Sequence, residues 1–313
     1  MSYIETKNNK YNYYVKKINI QNNKIIIKKF MGKKTLISNK ELFLKENLNE
    51  LTKIEYLKRK PFFEQIYPKL YNTTTLEKME KLNILLSNTI EINKKENEFY
   101  TNFAKEFIFN SNNIEGSKIP KEKVIEILQK GDSKYFNRNE VKEVINSIKA
   151  MHFIKKEFKF NEQSIKKLYN ILTKDLKRED GSNYPKGFKK VDIIVGNSIT
   201  TKPTQVKNEL KKLLEWYKKN KKTLHPLELA FEFHLMYESI HPFTDANGRT
   251  GRLIMNKILI QNYYNPTIIY KENKKTYFNA IQKAREGKVK KYYQLLIQQG
   301  AKTYKQMLKS LPK

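Results

Sequence analysis

Cysteine is absent from all 313 residues. That excludes disulfides and thiolate metal sites and fits a reducing compartment. Long apolar runs are missing too: none approaches the ~20 residues a membrane span requires. The opening residues, Met1, Ser2, Tyr3, Ile4 and Glu5, lack the apolar stretch of a signal peptide. The expectation is a cytoplasmic protein with no membrane segment. Glycine and proline are scarce, at ten and nine residues, which points to a mainly α architecture. Acidic residues are in deficit, 32 against 63 lysines and arginines, for a formal charge of +31. Among the cations arginine is rare. Only Arg59, Arg138, Arg178, Arg249, Arg252 and Arg285 interrupt the lysines.

This charge argues against an evolved nucleic-acid surface. The lysines lie in short clusters, such as residues 218–222 and 288–291, along a chain rich throughout in lysine, asparagine and isoleucine. A dedicated groove would gather basic residues on one face, with arginine among them. Salt-dependent, non-specific binding to acidic partners is all that the pattern implies. The length suffices for one large domain or two small ones.

Two organisational regions are expected. Residues 11–20 and 24–30 are rich in β-branched and aromatic side chains and flank the turn signal Gln21, Asn22, Asn23. They predict a β-hairpin that ends at Gly32, with a further short strand at residues 35–37. Residues 40–70 carry a helical pattern interrupted by Pro61 and Pro68. Three threonines at 73–75 then precede an amphipathic helix over 76–95. Residues 1–90 thus form an N-terminal region with a β-hairpin and then helices; its role is to pack on the rest, present a partner or mediate self-association. From about residue 97 the chain is helical. Phe99, Phe103 and Phe107 repeat at helical spacing, as do Ile165, Leu168, Tyr169 and Leu172, and both stripes predict core. The main interlude is residues 184–204, with a short hairpin over 191–199 turning at Gly196 and Asn197.

The densest chemistry lies in residues 240–252. Between the apolar helical runs 226–239 and 253–261 the chain reads IHPFTDANGRTGR. A loop entering a helix at Gly248 leaves free backbone N–H groups at the positive end of that helix, an anion site by geometry and dipole. Arg249 and Arg252 lie one turn apart, so both guanidinium forks can reach one polyphosphate. In a chain that defaults to lysine, two arginines three apart call for the planar fork. His241 is the natural general base. Two solvated helix charges would leave the histidine, the carboxylate of Asp245 and the small-residue turn without purpose. The combination implies a nucleotide-using phosphotransfer site. His152, His225 and His234 are expected to be structural, since no metal-ligand spacing links them.

The string HPFTDANGRTGR resembles the signature of the Fic (Fic/Doc) family, whose histidine, phenylalanine, acid, glycine, asparagine, glycine and arginine are followed by a further arginine. Ala246 departs from it, standing where glycine is usual, and alanine tolerates positive φ poorly. Residues 225–241 and 277–287 also resemble the family's helices before and after the motif. The resemblance implies a Fic-type helical bundle with a short β-hairpin flap. The catalytic region would be 91–313, with an inhibitory helix at about 97–116, the flap at about 184–204 and the core at about 163–300. It implies a protein adenylyltransferase that moves AMP from ATP to a Ser, Thr or Tyr hydroxyl of a protein substrate. His241 would be the base, and Asp245 would hold Mg²⁺ (or Mn²⁺). Asn247, Gly248, Arg249, Gly251, Arg252 and Tyr277 would bind nucleotide and phosphate. Val195, Gly196, Asn197, Ser198 and Ile199 would form the flap that positions the target.

Ser111, Asn112, Asn113, Ile114, Glu115 and Gly116 match the family's inhibitory motif, S/T-x-x-x-E-G/N; read plainly, they are a helix end with Gly116 at C′. A glutamate there opposes the helix dipole and needs a partner, and the resemblance supplies Arg252. Removal of AMP with Glu115 aligning water stays open, as do self-modification and a homodimer. The phosphorylating branch has lysine where this chain has Gly248. The alternative in another class is a nucleic-acid-associated scaffold with an inactive Fic core.

Overall fold

The computed structural model describes residues 2–34, 39–69, 72–196 and 198–311. The chain opens with three antiparallel strands, β1 (Ser2–Lys7), β2 (Tyr11–Ile20) and β3 (Asn23–Lys33), in the order β1-β2-β3. β2 and β3 are the expected hairpin. Their turn is tighter than its sequence signal, with Ile20 opposite Asn23 and Gln21 at φ 56°. Gly32 does not end β3. It pairs with Asn12 beside a bulge, and the ladder continues to Lys33. β1 is an addition to the expected elements: mostly polar, it is ordered by pairing, from Ser2 opposite Lys16 to Lys7 opposite Tyr11. The strand expected at 35–37 lies outside the described residues.

Alternation along β2 and β3 turns Tyr14, Ile18, Ile20, Ile25, Ile27 and Met31 inward. They form a small core with Phe43 and Leu44 of α1 (Lys40–Glu46), Leu51 of α2 (Leu48–Phe63) and Ile92 of α3 (Thr73–Asn93). α3 is the expected amphipathic helix, but its N-cap is Asn72, whose side chain accepts from the Thr75 N–H. The carboxamide precedes the threonines and so takes the cap.

A much larger core runs from Tyr56 to Leu311. It is built from α3, α4 (Glu96–Ile114), α5 (Lys121–Lys130), α6 (Arg138–Lys156), α7 (Glu162–Leu172), α8 (Val206–Asn220), α9 (Pro226–Ile240), α10 (Asn247–Gln261), α11 (Lys274–Arg285) and α12 (Lys290–Ser310). Phe99, Phe103 and Phe107 are buried and stacked along α4. Ile165, Leu168, Tyr169 and Leu172 are buried on α7. Eleven of the fifteen residues are buried in α9, and eleven of fifteen in α10, so the motif loop is anchored at both ends by helices packed nearly all round. The expected hairpin is present but short, with β4 (Ile194–Val195) pairing antiparallel to β5 (Ser198–Ile199).

Where the two cores meet, charge is buried. Lys16 Nζ lies 2.8 Å from Glu55, and Arg59 bridges Glu55 at 3.3 Å and Glu80 at 3.5 Å. The Tyr264 hydroxyl donates to Glu80. No helix among the described residues is long and apolar enough to cross a membrane.

Candidate active site

α9 ends at His241, which is left-handed (φ 48°) and donates its N–H to Tyr237 O at 2.9 Å. The loop that follows is held by its apolar and amide side chains. Phe243 is fully buried and stacks on Tyr169 at 4.1 Å with the rings 3° from parallel. Asn247 reaches back over the loop: the Phe243 N–H donates to its Oδ1 at 3.0 Å, and its Nδ2 donates to Phe243 O at 2.8 Å. The Asn247 side chain is therefore committed to the loop, and what it offers an anion is its backbone amide. Thr250 makes the first intrahelical bond of this turn, to Ala246 O. The amides of Asn247, Gly248 and Arg249 precede it at the positive end of α10. Ala246 adopts the conformation a glycine would favour, φ 57° and ψ 14°, at a cost of about 1 kcal/mol.

The two arginines do not share one partner. Arg249 Nη1 donates to Glu143 of α6 at 3.0 Å, and Nη2 to Asp245 at 3.2 Å. Arg252 donates to the Ser111 hydroxyl and carbonyl, each at 3.0 Å, and to Glu115 Oε1 at 2.6 Å. The glutamate is delivered by the end of α4. There Gly116 at φ 114° and the Ser117 N–H bond to Asn112 O close a Schellman turn. Glu115 also lies against the first turn of α10, since a Cβ on Gly248 would sit 2.2 Å from Glu115 Oε1 and 2.8 Å from Arg252 Nη1. A larger residue here would displace this carboxylate or the guanidinium beside it.

Burial lowers the His241 pKa to about 4, helped by Lys189 and Arg285, against a weaker pull from the Glu238 carbonyl and Asp245. At neutral pH the imidazole is uncharged and free to take a proton. Burial would raise Asp245, but Arg249, the Ala246 N–H and the Tyr184 hydroxyl outweigh it and hold the carboxyl below its usual range. Asp245 is thus ionised, with 36% of its side chain exposed. Among the described residues no group of three or more His, Cys, Asp or Glu forms a metal cage. A divalent ion here would combine Asp245 with substrate phosphates and water.

A cavity of about 420 Å³ is lined by Glu115, His241, Gly248, Arg252 and Tyr277 together with residues of β4 and α11. Tyr277 is buried, its hydroxyl 2.6 Å from His234 Nε2. Gly251 faces Glu238 and His234. At the β4–β5 hairpin, Val195 and Gly196 line the cavity, and a Cβ on Gly196 would meet Gln282 of α11. Ser198 pairs with Val195, and Ile199 with Ile194. Asn197 lies outside the described residues. His225 caps α9 by accepting from the Leu227 N–H. Of the histidines expected to be structural, His225 and His234 are both buried.

Several site residues carry no motif signal. Lys189 is buried at the base of the β4–β5 hairpin, its Nζ donating to Thr200 Oγ1 at 2.6 Å and its N–H to Pro242 O at 2.9 Å; burial lowers its pKa to about 8. Glu143 sits 106 residues from its partner Arg249. Glu238 had one visible sign, an acid three residues before His241 on a helix with an apolar face.

Residues 159–259 match the Fic/DOC family model, so this stretch of the chain is similar to that family's domain. Over 111 residues it is 33% identical to a probable protein adenylyltransferase of Aquifex aeolicus, covering 35% of this chain and 34% of that protein. Over 110 residues it is 32% identical to the protein adenylyltransferase Fic of Drosophila melanogaster, covering 35% of this chain and 22% of that protein. The matched stretch thus spans about a third or less of these curated relatives. Two solved structures share the fold. A Fic domain containing signaling protein from Bacteroides thetaiotaomicron aligns at TM-score 0.61 and 22% identity, over 69% of this chain and 90% of its own. Fic-1 from C. elegans aligns at TM-score 0.63 and 17% identity, over 88% and 89%.

Proposed function

We propose that the chain is a protein adenylyltransferase held in check by Glu115. The observation that carries this is the convergence, on one cavity, of an uncharged His241, the N-terminal turn of α10 with its bare Gly248, and the buried fork of Arg252. ATP would lay its phosphates along that turn, where backbone amides and a guanidinium stabilise negative charge. A Ser, Thr or Tyr hydroxyl of a target protein would lose its proton to His241 and attack the α-phosphate. The new bond is target oxygen to phosphorus; the bond that breaks is to the bridging oxygen, and pyrophosphate leaves. Asp245, ionised and partly exposed, suits Mg²⁺, which would neutralise phosphate charge. Arg249, fixed by Glu143 and Asp245, holds that carboxylate in place.

Among the described residues β4 pairs with β5 alone, which leaves its other edge open, and Ile194 is exposed. An extended segment of the target would pair there, which sets its hydroxyl beside His241. Glu115 occupies the Arg252 fork that would take the γ-phosphate, so ATP would bind unproductively until α4 yields. The same carboxylate could align water to remove AMP. The absence of cysteine fits a cytoplasmic setting.

The test is label transfer to proteins of a cell lysate by the Glu115→Gly chain with Mg²⁺. Against lysate alone, added label on protein should come from the α-phosphate, and the γ-phosphate should add none. Transfer of the γ-label would make the chain a kinase.

A further inference from the structure

Glu238 is a buried acid that the mechanism above does not use. It lies in the last turn of α9, 6% exposed, with Oε2 3.9 Å from His241 Nδ1 and Oε1 4.0 Å from His234 Nδ1. Among the described residues neither Glu238 Oε1 nor His241 Nδ1 makes a well-formed hydrogen bond, although the Glu238 carbonyl acts on the His241 ring. A buried carboxylate left in this state is costly and needs a reason. No arginine forms a direct salt bridge with this carboxylate among the described residues. Arg252 bonds Ser111 and Glu115 through Nε and Nη2 and acts on Glu238 only through space, and Arg285 donates to the Glu238 backbone carbonyl, not the carboxylate. The space is also provided for: a Cβ on Gly251 would lie 2.8 Å from Glu238 Oε1.

We propose that Glu238 is a positioning residue for His241, closing on Nδ1 so that Nε2 stays free for the target hydroxyl and sharing the charge of the imidazolium that forms. This rests on the adenylyl-transfer function proposed above. The distance is one small side-chain adjustment from a hydrogen bond, and acceptance of the proton by His241 would draw the two together. Burial raises the Glu238 pKa to about 7; Arg252 of α10 and Arg285 of α11 pull it down, while Glu115 of α4 pushes it up. His234 and His241 face it from its own helix and cap, and Tyr277 from α11. Its ionisation therefore falls in the working range. Activity should rise with pH through about 7 as the carboxylate becomes available.

The test uses the full chain carrying Glu115→Gly, with Glu238→Gln and Glu238→Ala added singly. Histidine ¹⁵N NMR at neutral pH, with His241 assigned by His241→Ala, reads the tautomer; label transfer from ATP gives kcat, KM and the pH profile. Glu238→Gln should keep the tautomer, because its amide oxygen still accepts. It should lower kcat about tenfold or more at unchanged KM for ATP and erase the rise near pH 7. Glu238→Ala should in addition mix the His241 tautomers. An unaltered tautomer, kcat and pH profile in both variants would overturn the proposal while leaving the adenylyl-transfer function standing. Should Glu115→Gly transfer nothing from ATP, that function fails instead, and the tautomer alone decides Glu238.

Discussion

Two clusters of buried charge sit in this molecule, and they differ in which partner is sealed. At the junction of the cores, Arg59 is 2% exposed and its acids Glu55 and Glu80 are 3% and 0%. At the site the cations are as deeply buried, Arg249 at 3% and Arg252 at 1%, but Asp245 keeps 36% of its side chain exposed and Glu115 24%. Similar ion-pair chemistry thus serves opposite ends. A pair sealed on both sides joins two parts of the fold. On the function proposed above, Arg252, sealed beside a partly open acid, would trade that acid for a phosphate.

Substitutions can break this contrast. The largest effect belongs to the site: His241→Ala, made in the Glu115→Gly chain, should cut transfer by about 10²–10⁴-fold while ATP still binds, as read by calorimetry. Next comes the junction. Glu80→Ala leaves Arg59 short of a partner inside the protein and should cost roughly 3–5 kcal/mol in urea unfolding, with activity per folded molecule unchanged. Glu115→Ala, removing an acid that is partly open so that water can replace it at Arg252, should cost clearly less in the same assay. Equal costs for the two would end the distinction. The smallest effect sharpens the loop: Ala246→Gly should add about 1 kcal/mol of stability by relieving the left-handed alanine, and an unchanged unfolding midpoint would argue against strain there.

Much of the helical fold was legible because its signals are local. The spacing of Phe99, Phe103 and Phe107, and of Ile165, Leu168 and Leu172, needs no tertiary knowledge to be read as core. The motif loop was legible for the same reason: its histidine, acid, glycines and arginines lie within a dozen residues. β1 was not, because its polar residues are ordered by pairing with β2 and not by their own pattern. Nor was the separation of the two forks. One-turn spacing puts Arg249 and Arg252 on neighbouring positions, but it says nothing of Glu143, which arrives from α6 and draws Arg249 away. The Arg59 cluster left no mark either, since its members are scattered over α2, α3 and the segment after α10. Glu115 is the intermediate case: distant in sequence from Arg252, it was findable only through a second short motif that resembles the family's inhibitory one.

The central claim is that Glu115 restrains the enzyme by occupying Arg252. The most direct measurement is a double-mutant cycle of auto-labelling from α-phosphate-labelled ATP, using the wild-type chain, Glu115→Gly, Arg252→Ala and the combination. Charge-assisted bonds of about 1.5–3 kcal/mol each imply a gain of roughly one to two orders of magnitude in Glu115→Gly. That gain should vanish when Arg252→Ala is added, because the released fork is then missing and the two effects are strongly non-additive. A wild-type chain already as active as Glu115→Gly, or a gain that survives the loss of Arg252, would contradict it.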